Sequence, residues 1–127
     1  MAVKDFKITN VSTGAVWISG SCDYATFGPN WFVTYDEATD TRVGYSWAYT
    51  TIQKVVVSPS GVAYPGDTSP GTGAKKVTID FAGTPPNVVM TLVDDVILEN
   101  GWLEIIKGDH VIAYQPTNVL SVVVAPG

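Results

Sequence analysis

The stretch ENGWLEIIKGDHVIAYQPTNVLSVVV, Glu99 to Val124, decides the fold. Asn100-Gly101 is the strongest short-range hairpin signal in the chain, because both residue types tolerate a positive φ. A two-residue loop there sets Glu99 opposite Trp102, Leu98 opposite Leu103, Ile97 opposite Glu104 and Val96 opposite Ile105. Gly108-Asp109 makes the next tight turn, with Lys107 opposite His110, Ile105 opposite Ile112 and Leu103 opposite Tyr114. One face then carries Val96, Leu98, Leu103, Ile105, Ile112 and Tyr114, and it reads as a core face. The other face carries Ile97, Glu99, Trp102, Glu104, Ile106 and Val111. After QPTN, the last strand divides Leu120, Val122 and Val124 from Val119, Ser121, Val123 and Ala125.

The second face holds too much oil for open water. Ile97, Trp102, Ile106, Val111 and Val123 would together gain on the order of 10 kcal/mol from burial, at ~2 kcal/mol each and before entropy is counted. A patch of that kind is unusual on a monomer. A second layer must therefore cover these residues: the long loop, another sheet or another subunit. They are the candidate interface residues, and a homo-oligomer or a further structural protein is the expected partner.

Outward from this stretch the same period-two pattern recurs. KKVTIDF points Val77, Ile79 and Phe81 one way and Lys76, Thr78 and Asp80 the other. DFKITNV does the same with Phe6 and Ile8 against Lys7 and Thr9. Strands are expected near 4–11, 14–20, 30–36, 42–49, 51–58, 75–82, 87–93, 95–99, 102–107, 110–115 and 118–125, with no convincing helical period. The fold class is all-β: an antiparallel sandwich or flattened barrel ending in a four-strand meander. The whole chain, 1–127, is read as one domain. Pro59, Pro65 and Pro70, with several glycines, mark a long surface loop at about 58–74, since proline cannot donate to a ladder.

Composition narrows the partners. Net charge is −5 with seven basic residues, and charged residues make up 15% of the chain against a usual ~25%. Such a chain lacks the basic footprint that nucleic acid requires, and anionic membrane surfaces are disfavoured for the same reason. No apolar run approaches the ~18 residues of a membrane helix, so no membrane insertion is expected. The start MAVKDFKITN has no signal-peptide h-region, so cytoplasmic synthesis is the expectation. Asn10 begins an NVS sequon, a motif common by chance. Cys22 is the single cysteine, so no disulfide forms within the chain.

Chemistry-bearing constellations are sparse. Glu99 and Glu104 share a strand face beside Trp102, but surface carboxylates also guard sheets against aggregation. Asp36, Glu37 and Asp40, or Asp94-Asp95, would suit calcium, yet neither set follows the EF-hand pattern. Cys22 and His110 are far apart in the chain, and no glycine-rich stretch has phosphate-loop spacing. No catalytic residue, metal or cofactor is therefore assigned.

NWFVTY and VGYSWAY flank the turn DEATDTR. Paired as a hairpin, they set Trp31, Val33 and Tyr35 on one face, and Tyr45, Trp47 and Tyr49 on one face of the partner strand. Aromatic faces stack on sugar rings, and Asn30, Asp36, Glu37 and Asp40 stand near enough to bind hydroxyls.

Two functions follow. The first is a non-enzymatic structural or interaction module that assembles into an oligomer; a virion or phage component (capsid decoration, tail or fibre) combines these traits by analogy of composition. The second is a carbohydrate-binding module or lectin that uses the aromatic hairpin 31–49. A lectin needs its aromatic faces exposed, whereas an assembly protein needs the Trp102 face covered.

Overall fold

The computed structural model describes residues 3–46, 53–61, 73–81, 87–99, 101–115 and 119–126. These form twelve strands: β1 (Lys4–Asn10), β2 (Val16–Cys22), β3 (Tyr24–Gly28), β4 (Trp31–Asp36), β5 (Thr41–Tyr45), β6 (Gln53–Pro59), β7 (Lys75–Phe81), β8 (Val88–Val93), β9 (Asp95–Glu99), β10 (Trp102–Lys107), β11 (His110–Tyr114) and β12 (Val119–Pro126). All pairings are antiparallel, and the fold is all-β and sandwich-like. Among the described residues, no helix is long and apolar enough to cross a membrane.

The central layer is a six-stranded sheet in the order β2-β1-β6-β11-β10-β9. Its registers through β9, β10 and β11 are those the turn chemistry dictates: Leu98 pairs with Leu103, Ile105 with Ile112, and Lys107 with His110. Gly101 takes the left-handed φ of 76° that the hairpin requires.

The meander stops at three strands. β12 does not pair with β11 but crosses to β7, in a three-stranded sheet ordered β12-β7-β8. The place beside β11 belongs to β6 instead. The reason lies in β6 itself. Val55, Val56 and Val57 are apolar on consecutive positions, so this strand must be buried on both faces, which only an interior position provides.

The third sheet, β3-β4-β5, contains a strand the sequence pattern misses. β3 is short, and its turn into β4 is Pro29-Asn30 rather than a glycine pair. Proline presets φ at the first position and Asn30 takes φ 65° at the second, which is type II turn chemistry.

The two small sheets cover opposite faces of the large one. Leu103, Ile105, Ile112, Tyr114 and Val56 pack against Val77, Ile79, Phe81, Met90 and Val93. On the other face Phe6, Ile8, Val55, Val57, Trp102 and Ala113 pack against Phe32, with Phe27 and Tyr45 at the margin. The doubly apolar strands are thus the middle of a three-layer molecule. Trp102 is fully buried by the chain's own β3, so it is withdrawn as an interface residue. Ile97, Ile106 and Val111 are half-buried, and Val123 is exposed on β12.

Polar stitches tie the edges. The Asp5 carboxylate accepts hydrogen bonds from the Ser21 hydroxyl at 2.7 Å and the Gly61 amide at 3.0 Å, which hold its carboxyl below the usual carboxylate range. The Asp94 carboxylate accepts from the Gly108 amide and closes the β10–β11 turn. Most of the proline-rich segment anticipated at 58–74 lies outside the described residues.

Candidate functional site

The outer face of β3-β4-β5 is where the sequence leaves rings in solvent. Cross-strand pairing sets Gly28 opposite Trp31, Thr26 opposite Val33 and Tyr24 opposite Tyr35. On the other side of β4, Val33 faces Gly44 and Tyr35 faces Arg42. Trp31 thus has Gly28 directly across on β3 and Gly44 diagonally across on β5. Its ring lies over Gly44, where an added Cβ would come within 3.0 Å of a ring carbon. A side chain there would crowd the indole.

Four residues further along β4, about 13 Å at strand rise, stands a second aromatic group. Tyr24 and Tyr35 stack with centroids 6.2 Å apart and planes 22° apart. The Arg42 guanidinium sits 4.9 Å from the Tyr35 ring centre, within cation–π range. The Tyr35 hydroxyl donates to the Asp40 carboxylate at 2.9 Å. That hydrogen bond, and one between Tyr24 and Glu37, push both phenols above their ordinary pKa. Trp31 is 49% exposed and Tyr24 55%. The face is thus a tray with the Trp31 indole at one end, a braced tyrosine pair at the other and Val33 between.

The structure divides the candidates read from sequence. Trp31, Tyr35 and Asp40 share the tray. Tyr45 does not: it pairs with Phe32 and turns inward, 5.7 Å from the Phe6 ring and 6.1 Å from that of Phe32. Asp36 also belongs to the inner face, where its carboxylate caps the β4–β5 turn by accepting the Ala38 amide. The error is one of parity, because every second residue of β4 faces the core. Trp47 and Tyr49 lie outside the described residues. Tyr24 and Arg42 were missed. Tyr24 belongs to the unrecognised β3, whereas Arg42 was legible as the cross-strand neighbour of Tyr35.

Other carboxylates are used locally. Asp23 is buried and accepts the Glu37 amide at 2.7 Å. Asp95 accepts the amide of Val96. His110 is buried against Asp109 at 2.7 Å, while Cys22 lies in the core beneath the small sheet. Glu104 is half-buried opposite Ile97, and burial, then Glu99, raises its carboxyl above the usual range. Among the described residues, no group of three or more metal-ligating side chains is assembled. No family model, curated protein or solved structure matches the chain.

Proposed function

We propose that this protein is a carbohydrate-binding module that holds a neutral oligosaccharide along the outer face of β3-β4-β5. The observation that carries the reading is the solvent exposure of Trp31 and Tyr24 on one sheet face. Rings kept braced and wet suit apolar stacking against sugar faces, and Asp40, Glu37 and Arg42 supply hydroxyl partners at the rim. The span from Trp31 to Tyr35 suits a short chain of sugar units rather than one. Titration of the protein with neutral oligosaccharides, followed by tryptophan fluorescence, tests it. Saturable binding that Trp31→Ala weakens at least tenfold supports the reading. Binding that is absent, or indifferent to Trp31→Ala, overturns it.

One specific observation favours the second reading, a building block of an oligomer or of a larger particle such as a virion. β12 is an eight-residue edge strand without a charged residue, with Leu120 67% and Val123 56% exposed. Long uncharged edges invite strand addition. Light scattering at micromolar concentration tests this reading: a dimer or larger species that Val123→Lys dissociates supports it, and a monomer removes it.

A further inference from the structure

β4 and β5 carry a second surface, back to back with the tray. Their inner face starts apolar, with Phe32 opposite Tyr45. It then becomes polar, with Thr34 opposite Val43 and Asp36 opposite Thr41. Binary patterning calls for apolar side chains at such inward positions. Positions that break a local rule are where function is expected. On the facing layer β2 presents Gly20, where a Cβ would stand 3.2 Å from two carbons of the Phe6 ring and narrow the space beside it. The layers do not close at this end. They leave a cleft of about 280 Å³ whose lining includes Phe6, Gly20, Thr34, Asp36, Thr41 and Tyr45.

Thr34 is 6% exposed. Its side chain lines the cleft. Asp36 spends one carboxylate oxygen on the Ala38 amide and keeps the other for the cleft. Two ring systems, Phe6 and Tyr45, stand 5.7 Å apart at the wall. The volume falls just below the roughly 300–1,000 Å³ of clefts that enclose drug-sized ligands, so the occupant is a single small ring.

We infer that this cleft is a subsite for one neutral pyranose unit. Hydroxyls of the sugar meet Thr34, Thr41 and Asp36, and its C–H face rests on Phe6 and Tyr45. Asp36 supplies the carboxylate of the lining, so uronic, sialic and phosphorylated sugars are rejected by like charge. The inference rests on the reading of this sheet as a glycan-binding element, but its experiment is separate.

The full chain is titrated with methyl glycosides of neutral hexoses at millimolar concentration, and backbone amides are followed by NMR. Shifts at residues 19–22 and 34–41 are expected. Thr34→Val, which removes the hydroxyl and keeps the volume, weakens binding about tenfold. Asp36→Asn, which keeps the turn acceptor, also weakens it and lifts the rejection of uronic acids. Trp31→Ala leaves monosaccharide affinity within about twofold. No saturable shift in the folded protein, shifts confined to Tyr24, Trp31, Tyr35 and Arg42, or binding unmoved by both cleft variants overturns the inference. Loss of oligosaccharide binding in Trp31→Ala bears on the tray alone, so the two readings fail independently.

Discussion

The Trp102 indole N–H donates to the Gly28 carbonyl at 2.8 Å, joining the middle sheet to the small sheet above it. The Trp102 ring meets the Phe27 edge with centroids 5.1 Å apart. This pair is why a doubly apolar ribbon needs no partner chain at this point. Removing it tests the layering directly. Trp102→Ala should cost about 3–5 kcal/mol, and Trp102→Phe about 1–3 kcal/mol by orphaning the Gly28 carbonyl. Urea denaturation reads both. Values within 0.5 kcal/mol of the parent, a size typical of surface sites, would show that the indole is not enclosed.

Gly44→Ala tests the tray without touching a ring. The backbone there accepts alanine, but the new methyl meets the Trp31 ring. The indole must lift, so acrylamide quenching of its fluorescence should rise. Oligosaccharide affinity should fall severalfold, while stability moves by less than about 0.5 kcal/mol. Unchanged quenching would place the Trp31 ring elsewhere.

Glu104 gives a pH signature of defined sign. Its folded pKa is raised above 4.5 by burial and by Glu99. The folded state therefore holds the proton more tightly than the unfolded chain, and stability declines as pH rises from about the ordinary glutamate value through the folded one. Glu104→Gln should remove that decline. The variant should melt higher than the parent at neutral pH and alike below the ordinary glutamate range. Differential scanning calorimetry across that range checks the sign.

Cys22 should be a slow nucleophile. It is 2% exposed, and burial raises its thiol above the ordinary value despite the opposing pull of Lys4. A thiolate-specific reagent at neutral pH should label the native protein far more slowly than the denatured one, in which one equivalent reacts. Rapid native labelling would show that the layers part readily at this end.

The sequence carried the local geometry further than the assembly of layers. Asn100-Gly101 and Gly108-Asp109 fixed both hairpin registers, because turn chemistry acts over four residues. Val96, Leu103, Ile105, Ile112 and Tyr114 were legible as a core face from period two alone, but Leu98, read on the same face, is 67% exposed on the edge strand β9. What covered Trp102 was not legible. The covering strand, β3, leaves through Pro29-Asn30, and its inward residues are Ala25 and Phe27, too few to announce a strand. β12 was misplaced for a related reason. Alternation identifies a strand's faces but not its neighbours, and the all-valine centre of β6 had the stronger claim to the interior. At the tray, Trp31 and Tyr35 were found by pairing aromatics, while Tyr45 was misassigned because the strand's register, and so its parity, was not fixed by the loop.

The interior position of β6 has a temporal consequence. It bridges β1, some fifty residues earlier in the chain, and β11, a similar distance later. During synthesis the first hairpins can form as they emerge, but the middle sheet cannot knit until Tyr114 has left the ribosome. Such distant pairing places the molecule among slow folders, on the order of milliseconds to seconds. Until then β6 can pair only with β1, and the edge of its three consecutive valines that awaits β11 stays open, exposure of the kind chaperones guard.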